Sequence, residues 1–380
     1  MRYLYTLLVL IPVALVLDRL HAPAAWVFGA SALAILPLSA VMGRATEALA
    51  ERTGPTVGGL LNATMGNAAE LIITIYALQA GLIDLVKASL TGSILGNLLL
   101  ILGLSIFVGG LRHPVQTFSA RAAGMSVAHM MLAIIALGFP ALFALTHPER
   151  AARVQQMELS LAVAGVLILV YGAGLVFTLV THRSLVAPPV GEAGAAGEQH
   201  WGARRALVLL VLSTVGVAIM SELLVHATEE AIASLGLTEL FVGVIVIPLI
   251  GNAAEHTAAV WMAAKNKMDL AFGIAIGSST QIALFVAPVL VFIALAIGRP
   301  MDFVFTGLEV ASIAVASGIV AVISFDGESH WLEGIQLLAV YAIVGVTFFF
   351  YWPTRSRSRE VGSGRKRERA RERARARARE

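Results

Sequence analysis

The sequence predicts an all-α polytopic membrane protein with about 11 transmembrane helices, a first helix followed by two inverted-topology repeats of five. Three observations carry that expectation. Of 380 residues, 58% are hydrophobic and 13% charged, with a mean hydropathy of +0.83, too little polar surface for a soluble domain of this length. Apolar runs of about 20 residues recur along the chain between Gly, Pro and charged clusters, each long enough to cross a hydrocarbon core. Inside two of these runs one polar motif is written twice, as Gly66-Asn67-Ala68-Ala69-Glu70 and as Gly251-Asn252-Ala253-Ala254-Glu255.

The candidate spans lie near residues 3–18, 25–49, 56–80, 83–109, 119–143, 157–181, 205–232, 239–264, 268–297, 303–324 and 331–352. Ala22-Pro23-Ala24 would suit cleavage of a signal peptide, but Asp18, Arg19 and His21 interrupt its approach, so residues 1–22 are read as the first helix. Connectors as short as Ala80 to Ile83 make neighbouring spans antiparallel. Repeat 1 then occupies 23–182 and repeat 2 occupies 204–352. Between them 183–203, with Pro188-Pro189, several glycines, Glu192 and Glu198, reads as a linker. Residues 353–380 form a low-complexity Arg/Ala/Glu tail holding 12 of the 27 Lys and Arg. That tail is read as solvated, with contact to anionic lipid as its functional alternative and no nucleic acid expected.

Glu70 and Glu255 are 185 residues apart, and the same offset aligns Val57-Gly58 with Val242-Gly243, Asp84-Leu85 with Asp269-Leu270, and Gly92-Ser93 with Gly277-Ser278. With a small gap, Ala45-Thr46-Glu47 matches Ala227-Thr228-Glu229. Chance likeness between Ala/Gly-rich segments would repeat alanines, not Asn, Glu, Asp and Ser at one fixed spacing. The copies fall in the third and eighth spans, an odd number apart, so they run through the membrane in opposite directions. Loop Lys and Arg favour an inside N-terminus by ten against five. Eleven spans then put the basic tail outside, against the same rule.

A carboxylate at intramembrane depth costs roughly 2.5–3.5 kcal/mol on insertion scales, so two of them need a use. Asn67 with Glu70, and Asn252 with Glu255, are three apart and share a helix face. Two carboxylates and two amides are hard oxygen donors, suited to Ca²⁺ rather than to a soft metal. Pro248, and Gly58, Gly59 and Gly66, loosen the helices enough for main-chain carbonyls to join. The alternative is that each Asn-Glu pair glues helices together. Asn97, Ser278 and Gln281 are pathway candidates or packing polar groups. Glu47, Glu229 and Glu230 suit an acidic vestibule at span ends, where Glu222 reads as an exposed acid. His256 is a proton-relay candidate or bonds a neighbour, while His129 and His226 read as structural. Glu309 is a further intramembrane acid, with Asp302 two turns before it on the same face. There is no Cys for a disulfide framework, and no phosphate-binding loop or His-Glu-x-x-His pattern, so neither an enzyme nor a bound cofactor is expected. Two glutamates hold two negative charges that one divalent cation or two protons would neutralise, and the empty pair is costly to carry through a dry barrier. This arithmetic favours exchange, with a Na⁺-driven exchanger and a cation channel as alternatives.

With these residues in place the sequence resembles the Ca²⁺/H⁺ antiporter family, the cation/proton exchangers of the Ca²⁺/cation antiporter superfamily. The likeness rests on the two motifs, on Lys87 through Asn97, on Lys267-Met268-Asp269-Leu270 and on Gly277-Ser278-Ser279-Thr280-Gln281, and spans about residues 25 to 352. It implies two five-helix inverted halves after a first helix, and exchange of Ca²⁺ for H⁺ at Glu70 and Glu255. Eukaryotic relatives carry a strongly acidic segment between the halves, whereas here the linker has only Glu192 and Glu198. The Ala/Arg-rich composition and short loops fit a bacterial inner-membrane member.

Overall fold

The computed structural model describes residues 2–146, 153–182 and 201–351. Residues 183–200 of the expected linker and the basic tail at 353–380 lie outside the described residues. Backbone N–H and C=O groups in lipid must be satisfied within their own segment, and the described chain is accordingly helical apart from short turns and one two-residue antiparallel ladder, Gln116↔Ser329 and Thr117↔Glu328. Among the described residues seven helices are long and apolar enough to cross a membrane: Ala24–Thr53, Ile83–Gly110, Ala120–Thr146, Val154–Thr181, Ala203–Leu235, Met268–Ala296 and Trp331–Phe350. A bent pair, Glu239–Gly251 with Glu255–Ala264, turns by 65° and is an eighth candidate span. Shorter helices complete the bundle: Leu10–Arg19 near the N-terminus, the half-helices Pro55–Met65 and Ala68–Ala80, and Gly307–Ile323. The chain is an all-helical polytopic integral membrane protein.

Three expected elements change. The third span is broken at Gly66-Asn67 into separate half-helices, and the eighth is broken likewise at Asn252. The tenth helix starts at Gly307, not 303, so Asp302 stands in a loop and shares no helical face with Glu309. The local chemistry explains that start. Asp302 accepts from the Val304 amide at 3.0 Å, and Thr306 and Glu309 form a reciprocal capping box that begins the helix.

The two longest helices among the described residues, Ala24–Thr53 and Ala203–Leu235, pack along one another. Each carries a matched threonine turned back on its own helix, Thr46 to Met42 O at 2.9 Å and Thr228 to Leu224 O at 2.7 Å. The helices that flank the two motifs contain π-helical turns, at Gly96–Ile101, Val242–Val246 and Ile282–Val286, a feature that often accompanies functional sites. Glycine decides the closest approach. A Cβ on Gly92 would lie 2.1 Å from the Val244 carbonyl oxygen, and one on Gly243 would lie 2.4 Å from Ala88 Cβ.

Two unlike fasteners sit at equivalent places in the repeats. Lys87 pairs with Asp302 and donates to Val304 O at 3.0 Å, and one turn on Thr91 donates to Glu309. The residues 185 positions later are Phe272 and Ile276, and there Phe272 stacks on Phe118 with ring centroids 4.0 Å apart.

Candidate functional site

Both motifs break their helices in the same way. Asn67 has φ −96° and ψ 15°, and Asn252 has φ −97° and ψ 9°. The carbonyl of each asparagine accepts the first bond of the helix that follows, from Leu71 N and from His256 N, both at 3.0 Å. Each glutamate is therefore the third residue of a new half-helix, where a negative side chain complements the unpaired amides.

The motif glycines make room for the opposite glutamate. A Cβ on Gly251 would stand 2.9 Å from Glu70 Cγ, and one on Gly66 would stand 3.7 Å from Glu255 Oε1. Glycine is thus needed to seat the opposite acid at Gly251, while at Gly66 the approach to Glu255 is ordinary contact.

A polar network joins four helices around them. Ser93 and Asn252 Nδ2 both donate to Glu70 Oε1, and Asn252 also reaches Ser93 at 3.3 Å. Across the site Asn67 Nδ2 donates to Gln281 Oε1 at 2.7 Å, and Asn97 Nδ2 donates to Ser278 at 3.1 Å. Ser278 in turn lies within hydrogen-bonding reach of Glu255. Asn67, Glu70, Ser93, Asn97, Asn252 and Ser278 are buried, and Glu255 is half-buried. Three oxygens remain buried without a partner: Glu70 Oε2, Glu255 Oε2 and Asn97 Oδ1. Unpaired buried acceptors of this kind are costly, and a hard cation or protons would relieve them.

Of the residues singled out from sequence, the structure brings together Asn67, Glu70, Asn97, Asn252, Glu255, Ser278 and Gln281. It leaves His256 out: that ring turns away from the cluster into a groove with Leu104 and Val260. Glu47, Glu229 and Glu230 are exposed, while the threonines beside Glu47 and Glu229 face inward. Glu229 lines a polar crevice of about 390 Å³ with Glu222, His226, Tyr76 and Gln79. His226, read as structural, is instead exposed between two acids on one helical face. Glu309 bonds Thr91 and Thr306 and stands apart from the cluster. Ser93 was missed as a site residue, although its match to Ser278 at the repeat offset could have found it.

The comparisons with known proteins agree with this architecture. The sequence profile described as sodium/calcium exchanger protein matches residues 23–180 and again 205–350. The chain is 46% identical over 365 residues to a Ca²⁺/H⁺ antiporter of Aphanothece halophytica, covering 91% of this chain and 96% of that one. Against a Ca²⁺/H⁺ antiporter of Synechocystis it is 49% identical over 339 residues, covering 86% and 91%. The solved structure of native YfkE superposes with a TM-score of 0.80 at 40% identity, covering 92% of this chain and 100% of that one. With the profile matched twice and close relatives aligned over nearly their whole length, this chain belongs to the Ca²⁺/H⁺ antiporter family of the Ca²⁺/cation antiporter superfamily, a family of transporters and not of enzymes.

Proposed function

We propose that this chain is a secondary transporter that exchanges Ca²⁺ for H⁺ at Glu70 and Glu255, in a bacterial cytoplasmic membrane. One observation carries the reading: each repeat contributes one glutamate to a shared polar cluster, and each glutamate keeps an unpartnered buried oxygen. Ca²⁺ is cargo here, held by the two carboxylates with the amide oxygens of Asn67, Asn97 and Asn252 as further hard donors. Ser93 and Ser278 position the carboxylates. One Ca²⁺ or two protons neutralise the pair, so only loaded forms cross at low cost. In this reading the chain crosses the membrane eleven times, its repeats are inverted, and rocking of one against the other exposes the site to each side in turn.

Exchange in proteoliposomes tests the proposal. With the membrane potential clamped and no initial pH difference, an imposed Ca²⁺ gradient should drive protons the other way, without Na⁺. Glu70→Gln and Glu255→Gln should each abolish this flux while the protein still inserts and keeps its thermal stability. Apparent Ca²⁺ affinity should weaken as pH falls, approaching about two protons displaced per ion. Ca²⁺ flux without proton movement would mark a channel, and flux driven by Na⁺ alone would mark the other exchanger class.

A further inference from the structure

Away from the glutamates, a groove of about 450 Å³ runs between the Leu102–Gly110 end of one helix and the Glu255–Ala264 half-helix. Its walls are apolar, with Leu104 and Val108 on one side and Val260 and Trp261 on the other. Arg112 lines one end, beside Ala264, and is itself exposed. The next residue, Lys265, holds its ammonium 4.8 Å from the centre of the Trp261 ring. His256 lies at the other end, and its Nε2 is buried without a partner. From Ala264 back to His256 the helix rises about 12 Å.

We propose that this groove binds one anionic phospholipid, with its phosphate on Arg112 and an acyl chain lying between Val108 and Val260 toward His256. The argument is complementarity along the groove. A hydrocarbon wall that ends in a guanidinium, next to a lysine and a half-exposed tryptophan, matches an amphipathic anion and does not match a water-soluble one. Basic pockets between transmembrane helices are recognised by anionic headgroups for the same reason. Free phosphate could satisfy Arg112 but would leave the apolar walls uncovered. A second copy of the chain could cover the walls but would have to bury an unpaired Arg112. The site also has a mechanical neighbour: Glu255 and His256 are consecutive, so a lipid seated along this half-helix bears on the element that carries one of the two acids. Lipid binding itself does not depend on the exchange proposed above.

The test uses the full chain, purified in mild detergent from membranes containing phosphatidylglycerol and studied by native mass spectrometry with lipid quantification. Wild type and Arg52→Gln, which removes an exposed arginine outside the groove, should each retain about one phosphatidylglycerol per chain. Arg112→Gln and the groove-filling Val260→Trp should retain about fivefold less, the weight of one interfacial arginine. Two variants guard against misfolding of either one. In proteoliposomes, phosphatidylglycerol added to phosphatidylcholine should speed Ca²⁺ uptake by wild type and leave Arg112→Gln unchanged. Equal retention in all four proteins would overturn the proposal. So would displacement of the lipid by millimolar inorganic phosphate alone, which would make the site a headgroup site only, or a mass shift showing a second chain in place of lipid.

Discussion

Val57 and Val242 are the same residue at the same place in the two repeats, yet Val57 is 57% exposed and Val242 is 1% exposed. The contrast extends along the segments that precede the two breaks. At the same offset Asn62 is exposed where Ile247 is buried and Leu60 is exposed where Ile245 is half-buried, while Thr64 and Leu249 are both exposed. Glycine contacts tell the same story: Gly92 is pressed against the Val244 backbone, but a Cβ on its counterpart Gly277 would meet nothing within 4 Å. Segments that share Val-Gly at this offset and otherwise differ therefore occupy a closed seat in one repeat and an open one in the other. Under the proposed mechanism the open side, along Pro55–Met65, is the way in, and exchange of the two seats is the transport step.

The largest effect should come from filling the closed seat. Gly92→Ala puts a methyl against a backbone oxygen that cannot swing aside, so thermal stability should drop and exchange should fall more than about tenfold. Gly277→Ala is the sharper variant. It fits the present arrangement, so stability should hold, but it would clash once the seats exchange, and turnover should slow several-fold with Ca²⁺ affinity unchanged. Normal turnover in Gly277→Ala would break the idea that the two repeats trade conformations.

A smaller effect is expected at the acid itself. Gly251→Ala brings a methyl to 2.9 Å from Glu70 Cγ and should shift that carboxylate, weakening apparent Ca²⁺ affinity about tenfold. Smallest of all is a change in labelling with no change in function. The chain has no cysteine, so Asn62→Cys and Ile247→Cys can be compared directly with a water-soluble thiol reagent. Asn62→Cys should react and Ile247→Cys should be protected; equal rates would show that the half-helices do not differ in access.

Much of the site was legible because intramembrane polar residues are expensive, so Asn67, Glu70, Asn252 and Glu255 stand out against their apolar surroundings and again by repetition. Asn97, Ser278 and Gln281 were visible for the same reason. Ser93 was not singled out because one serine in an apolar helix most often bonds its own backbone, as Thr74 does here. The break at Gly66-Asn67 was only half visible: glycines suggested looseness, but whether the helix ends outright is set by what its two halves pack against. The Thr306-Gly307-Leu308-Glu309 start was readable as a capping box and was passed over for the hydrophobic run around it. The difference between the repeats was only half readable: Asn62 and Thr64 stand where the second repeat has Ile247 and Leu249, but which repeat is closed is a matter of conformation.

The unlike fasteners have a consequence for how the molecule should respond to its surroundings. Lys87 with Asp302 is a charge pair, weakened by added salt to the extent that solvent reaches it, and Lys87 is 12% exposed. Phe118 on Phe272 is an apolar stack, strengthened by kosmotropic salts and weakened by cold. Both contacts join the two repeats, at symmetry-related places, so added salt loosens one junction while it tightens the other, and a transporter whose two access states were equally stable under one set of conditions would have a preferred resting side under another.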